Sequence, residues 1–370
     1  MDMRNHDRLI AFIVIAALGC IFFQGKALAQ SNTGRDELVS TLSKLAASAA
    51  KGYVAPIVSG FGADLNSGWV HRVPNPTKSS LDLEFGLVGM GSFFSATSKS
   101  FSDNGTFNFN HDEADLLIPR SYTGDFRDSI TSAIMRLPFT VTISGPTIVG
   151  SKLDSVRVAF SGGTVHVTYQ TFSDSIVALN PVVISIGVTG LLENLKFLPT
   201  AAFQFSAGTL FGTSVSFRFL PTSNLNTKLG NTSFVGFGIQ HNPMVWFGNS
   251  IPVNLSLALF TQTLKVGTVF KSTATDFGIY ASRQFGPGVL NITPFAGLSV
   301  EASKMTITYD FHTTDFRNQP VTIPASFELK GQNTARLTLG FSLKLAIVDI
   351  STEYDIAKYN SASLGIGLII

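Results

Sequence analysis

The sequence predicts an all-β protein: a single antiparallel up-and-down transmembrane β-barrel of about 14 strands (12–16), preceded by a short N-terminal helix. Three observations carry this. From Ala335 to Ile347, Leu337, Leu339, Phe341, Leu343, Leu345 and Ile347 occupy every second position, with Arg336, Thr338, Gly340, Ser342 and Lys344 between them. Strict period-two alternation makes a strand with one apolar and one polar face. Its length meets the roughly 9–11 residues of a tilted membrane strand rather than the about five or six of a soluble one. Charged residues are only 14% of the 370, beside 32 Phe and 33 Gly, yet no long unbroken apolar run follows the N-terminus. Helical spans are thereby excluded, whereas a closed barrel needs only alternate residues to be apolar. Finally, the alternation keeps returning without interrupting helices, as serial hairpins of one closed sheet require.

Residues 1–29 read as a signal peptide: Arg4 and Arg8 form a positive n-region, Leu9 to Phe23 an apolar h-region, and Ala27-Leu28-Ala29 a cleavage site that makes Gln30 the mature start. Residues 30–78 form an N-terminal helix and a Gly/Pro-rich segment. The helix spans Asp36 to Ala50, with Leu38, Leu42, Leu45 and Ala49 on one face, and ends where Pro56 and the nearby Gly residues interrupt it. This prefix is expected as a plug, a periplasmic arm or a cover over one barrel rim.

Residues 79–370 are expected to be the barrel. Its staves begin at Leu81–Leu87 and continue through Phe139–Ile143, Val156–Phe160, Val165–Tyr169, Ile184–Val188, Ala201–Ala207, Val215–Phe219, Val235–Ile239, Val253–Leu259, Phe277–Ala281, Ile292–Ala302, Met305–Tyr309, Ala335–Ile347, Ile350–Ile356 and Leu364–Ile370. The polar connections Ser92–Pro138 and Phe311–Thr334 are expected as external loops. Residues between the apolar ones face the lumen, and the candidates are Asp82, Glu84, Arg157, His166, Arg218, Gln240, Asn254, Asp276, Glu301, Arg336 and Lys344. They belong inside because a Lys or Arg facing lipid at mid-depth costs about 2–4 kcal/mol. Such a row either fills the lumen with ion pairs or meets a solute. Trp69 and Trp246 are expected in interfacial girdles.

No enzyme chemistry emerges. His111-Asp112-Glu113-Ala114-Asp115 lacks the spacing of a calcium loop and reads as a solvated acidic turn. His166 has no nucleophile elbow beside it, and Gly236-Phe237-Gly238 lacks the third Gly and helix of a dinucleotide site. The single Cys, Cys20, lies in the signal, and a net charge of +2 supplies no field for nucleic acid. No catalytic, cofactor-binding or metal-ligating residue is expected, and no cofactor.

The segments Phe211–Pro221, FGTSVSFRFLP, and Ser233–Phe247, SFVGFGIQHNPMVWF, carry a resemblance, joined by Tyr53-x-x-Pro56, Gly145–Gly150 and the Gly-bearing last strand. On these motifs the chain resembles a family of predicted outer-membrane barrel proteins of unknown function in Gram-negative bacteria. The resemblance implies a membrane barrel and no activity, so Gln240 and His241 inherit no role and are expected to fix a strand end. The final segment Ser363–Ile370 resembles the assembly signal of such barrels, with Ile370 in place of the usual aromatic. The expected partners are outer-membrane lipid, the barrel-assembly machinery and a small apolar or amphipathic solute. The expected function is passage or binding of that solute; the alternative is a non-transport anchor or assembly partner for surface or secretion machinery.

Overall fold

The computed structural model describes residues 35–76, 79–169, 172–226, 230–247, 252–267, 270–314 and 320–369; the signal peptide expected at residues 1–29 lies outside them. In chain order the elements are α1 (Arg35–Asn66), β1 (Ser79–Phe93), β2 (Ser100–Phe107), α2 (His111–Leu116), α3 (Gly124–Met135), β3 (Phe139–Pro146), β4 (Arg157–Phe160), β5 (Gly163–Tyr169), β6 (Phe172–Leu179) and β7 (Val182–Ser185). They continue as β8 (Phe197–Leu210), β9 (Thr213–Asn226), β10 (Gly230–His241), α4 (Met244–Phe247), β11 (Asn254–Val266), β12 (Phe270–Ser282), β13 (Leu290–Thr314), β14 (Pro320–Lys330), β15 (Ala335–Leu345), β16 (Val348–Ile356) and β17 (Ser361–Ile369). Among the described residues two compact units result, one of residues 35–54 with Ala96–Asn194, the other of Ala55–Ser95 with residues 195–369.

The second unit is a closed antiparallel barrel. Its strands follow the order β12-β11-β10-β9-β8-β1-β17-β16-β15-β13, and β13 pairs back with β12 to close the ring. Ten strands therefore form the wall, not about 14. Four expected staves, at Phe139, Val156, Val165 and Ile184, belong to the other unit as β3, β4, β5 and β7. Two more, Ile292–Ala302 and Met305–Tyr309, are one 25-residue strand, β13. Its Leu290–Val300 part pairs with β15, Phe295–Ile307 with β12, and Lys304–Thr314 with β14, so β14 extends the sheet without joining the ring. The stretch Phe311–Thr334, expected as a loop, is largely this ladder.

Alternation dictates the two faces of the wall. In β15, Arg336, Thr338 and Ser342 are buried while Leu339, Phe341 and Leu345 are exposed. In β11, Ser256, Ala258, Phe260, Gln262 and Leu264 face in, and Leu257 and Leu259 face out. Outward Phe side chains meet across neighbouring strands: Phe85 stacks on Phe203 at 6.0 Å, Phe203 reaches Phe219 at 5.7 Å, and Phe217 reaches Phe237 at 5.1 Å. Two hairpins need left-handed residues and have them. Phe211 (φ 48°) and Gly212 (φ 67°) turn β8 into β9, and Ala346 (φ 56°) helps turn β15 into β16.

Contrary to the expected stop near Ala50, α1 runs through Pro56 to Asn66. Confinement explains the extension, because tertiary packing overrides intrinsic helix propensity. A Cβ at Gly60 would stand 2.9 Å from the Ser92 hydroxyl, and one at Gly62 would stand 2.0 Å from that of Ser303. The glycines let the helix approach the wall rather than ending it.

The first unit has its own core, in which Leu45 and Ala49 of α1 meet Phe107, Ile130, Ile134, Phe139, Val141 and Ile143. Its strands pair as β2-β3-β4-β7, with β5–β6 a separate hairpin. The His111–Asp115 group is the α2 helix, not a turn. Asn110 and Glu113 form a capping box, the Asn110 side chain accepting from Glu113 N at 2.9 Å and the Glu113 carboxylate from Asn110 N at 3.1 Å. Arg127 then donates to Asp115 at 2.6 Å and holds its carboxyl below the usual carboxylate range. The Tyr53 hydroxyl donates to Thr189 O at 2.9 Å, and burial pushes its pKa up.

Candidate functional site

The lumen is polar, charged and occupied by the chain itself. Residues 55–76, the end of α1 and the segment leading into β1, lie within the barrel unit. Buried backbone polar groups there need partners, and the wall supplies them. Ala63 O accepts from Arg336 at 3.0 Å and Ser67 O from Arg218 at 2.7 Å. The Asn66 amide donates to Glu301 at 2.7 Å, and both the Ser67 hydroxyl and Gly68 N donate to Glu353. Asp64 accepts from Thr200, Val73 N donates to Ser282, and Asn254 donates to Asn75. With His71 on Glu84, the segment makes polar contact with β1, β8, β9, β11, β12, β13, β15 and β16, eight of the ten wall strands.

At its centre sits Trp69, 2% exposed and stacked on Phe260 at 5.0 Å with an interplanar angle of 13°. The Arg218 guanidinium lies 4.0 Å from the same ring's centroid, a cation–π arrangement. Trp69 is thus a lumenal anchor and not a girdle residue as expected. The Gly236/Gly238 pair now has a reason: Cβ atoms there would come within 3.1 and 3.2 Å of the indole. Trp246 is the exposed aromatic instead, stacked on Phe211 at 6.0 Å and donating to His241 Nε2 at 3.2 Å. His241 also meets Thr213 at 3.0 Å, which ties the end of β10 to the start of β9.

Charge inside is paired but unbalanced toward acid. Arg336 bridges Glu301 at 2.8 Å and Asp355 at 2.9 Å, all three almost fully buried. Asp276 accepts from Tyr280 at 2.9 Å close by. A second group comprises His71 with Glu84 at 2.6 Å and Arg72 with Glu84 at 3.5 Å. One donor atom each of His71, Glu84 and Asp349 lies within 4.8 Å of the others.

Of the residues expected in the lumen, Glu84, Arg218, Gln240, Asp276, Glu301 and Arg336 are buried on barrel strands. Asp82, Asn254 and Lys344 border a cavity of about 160 Å³. Arg157 and His166 lie elsewhere, exposed on β4 and β5 of the other unit. Their strands alternate because one face packs on a core and the other is wet, the reverse of a wall strand, whose apolar row is the exposed one. Missed altogether were Asp349, Glu353 and Asp355, although they alternate with Ile350, Thr352, Tyr354 and Ile356 and so carried the same signal. Ser67, Trp69 and His71 had no periodic signature, since an irregular segment has none.

Fold and lumen together define a closed antiparallel β-barrel with an apolar outer face and an interior filled by its own N-terminal segment. The chain belongs to the Family of unknown function (DUF6588), whose model matches residues 3–370. No curated protein matches it. Among solved structures it is similar to a bacterial polysaccharide outer membrane secretin, at 7% identity and TM-score 0.22 over 81% of this chain and 99% of that one. It is also similar to OmpT, an outer membrane protein of Vibrio cholerae, at 10% identity and TM-score 0.22 over 79% and 99%. A third is an anion-selective porin from Comamonas acidovorans, at 13% identity and TM-score 0.16 over 79% and 99%. Scores this low bear on none of this chain's functions.

Proposed function

We propose that this chain is an outer-membrane β-barrel of a Gram-negative bacterium that works as a self-occluded passage or binding site for a small solute, with residues 55–76 as the gate. One observation carries the reading: the segment from Ala63 to Asn75 bonds to eight of the ten wall strands. A barrel held only as an anchor needs a filled lumen but no polar one, whereas buried polar groups left free by a moving segment would be solvated by an entering aqueous solute. The polar wall favours a small hydrophilic or amphipathic solute over a purely apolar one. The outer location rests on the apolar exposed row of every second wall residue, which a lipid surface covers and water does not. No catalytic role is assigned. The anchor reading keeps support from residues 96–194, a unit with its own core inserted between β1 and β8.

Liposome swelling tests the gate. Wild-type protein is expected to admit little solute, and a variant lacking the Trp69 indole is expected to admit sugars and small ions. Equal impermeability of both, in preparations whose unboiled and boiled samples migrate differently, would favour the anchor.

A further inference from the structure

The His71, Glu84 and Asp349 group lies at the point where the lumenal segment, β1 and β16 meet, and all three side chains are at least nine-tenths buried. Glu84 Oε1 stands 2.6 Å from His71 Nδ1. In the neutral tautomer that donates Nδ1–H to that carboxylate, Nε2 carries the free lone pair. His71 Nε2 is buried with no hydrogen-bond partner among the described residues, and so is Asp349 Oδ2. The other Asp349 oxygen accepts from Ser342. Room in front of the imidazole is kept by Gly365, where a Cβ would stand 3.3 Å from Nε2.

An imidazole nitrogen and a carboxylate oxygen, both desolvated, both unpartnered and both electron-rich, are a costly combination without a shared electrophile. We propose that this group is a divalent-cation site, with His71 Nε2 and Asp349 Oδ2 as ligands and Glu84 holding the imidazole in its metal-binding tautomer. A carboxylate accepting the far N–H of a ligating His is the usual supporting contact of metal sites. Ligands at about 2.0–2.2 Å from one ion stand roughly 3–4 Å apart, and one donor atom from each of His71, Glu84 and Asp349 already lies within 4.8 Å of the others. The mixed nitrogen and oxygen set selects a borderline ion of the Zn²⁺ type over Mg²⁺ or Ca²⁺. Arg72, 3.5 Å from the second Glu84 oxygen, balances the Glu84 charge and leaves that of Asp349 for the cation. Cavities of about 50 Å³ beside His71 and Glu84 and about 160 Å³ beside Asp349 give it an approach. The site clamps the lumenal segment to two wall strands and stands whether or not the lumen conducts.

The test is Zn²⁺ binding to the full chain refolded in detergent, stripped with chelator, and followed by calorimetry and metal content. One Zn²⁺ per wild-type chain is expected. His71→Gln and Asp349→Asn should each lose stoichiometric binding, Glu84→Gln should weaken it roughly 10–100-fold, and His111→Ala, on the exposed α2, should retain it. No stoichiometric Zn²⁺ on wild type, or unchanged binding in both ligand variants, overturns the proposal. If those variants do not refold, X-ray absorption of the wild-type complex decides: imidazole nitrogen with carboxylate oxygen at about 2.0–2.2 Å supports it, and a shell without imidazole overturns it.

Discussion

The Arg218 guanidinium sits 4.0 Å over the indole of Trp69, joining the wall of the barrel to the segment that fills it. Arg218 is fully buried and also donates to Ser67 O at 2.7 Å and Gln204 at 2.7 Å, so its position is set from both sides. The indole in turn stacks on Phe260 of β11. Removing it takes away one wall of a desolvated cation.

Trp69→Ala should therefore destabilise the folded barrel by about 3–5 kcal/mol, the range for deleting a buried large aromatic. Urea titration read by the gel shift between unboiled and boiled samples measures this without the lost fluorophore. The same variant is the one expected to become permeable.

Arg336→Met leaves Glu301 and Asp355, within 2.9 Å of the lost guanidinium, without their counter-charge. Breaking a buried pair from one side costs about 3–5 kcal/mol, whereas replacing all partners together is often neutral. The triple variant Arg336→Met, Glu301→Gln, Asp355→Asn should then recover most of the midpoint lost by the single one. A triple variant worse than the single would show that the carboxylates are held by other contacts.

Phe237 is 59% exposed on the outer face of β10. Phe237→Arg should lower folding stability in liposomes by about 2–4 kcal/mol, as for a cation facing the bilayer midplane. Gln240 is buried on the same strand, and Gln240→Ser should leave folding into liposomes nearly unchanged by comparison. Equal yields for Phe237→Arg and wild type would mean that this face does not meet lipid.

In the other unit the Asp115–Arg127 contact should depend on pH. The Asp115 carboxyl is held below its usual value by the Arg127 hydrogen bond, so its contribution is present above the unfolded carboxylate pKa of about 3.9 and lost as pH falls through the lower folded value. Arg127→Ala should accelerate proteolysis between Asn110 and Arg136 near neutral pH, and the difference from wild type should shrink in acid.

Much of the barrel was legible because alternation in a wall strand reports both faces at once, and residues such as Arg336 and Glu301 fall on the inner one. Alternation does not say what lies beyond the outer face. Val165–Tyr169 and Phe139–Ile143 obey the same rule in the smaller unit, where the apolar row meets a core of helix and strand. Length separates them better: β4 and β7 have 4 residues, whereas β1 and β8 have 15 and 14. Trp69 was misplaced because a Trp beside Gly and Ser in an aperiodic stretch has no face to read, and its lumenal site depends on Gly236 and Gly238 more than 160 residues away. The extension of α1 past Pro56 was hidden for the same reason, since the contacts that sustain it come from Ser92, Ser303 and Gln332.

Gly86 faces Gly367 across the β1–β17 seam, and a Cβ on Gly86 would stand 2.7 Å from Ile366 O. This seam joins β1 to β17, strands far apart in the chain, and pairings of long sequence separation cost the most loop closure. The lumenal segment runs directly into β1. Closure of the ring and placement of the lumenal segment therefore fall on one strand, since β1 pairs with β17 and its Glu84 also holds His71.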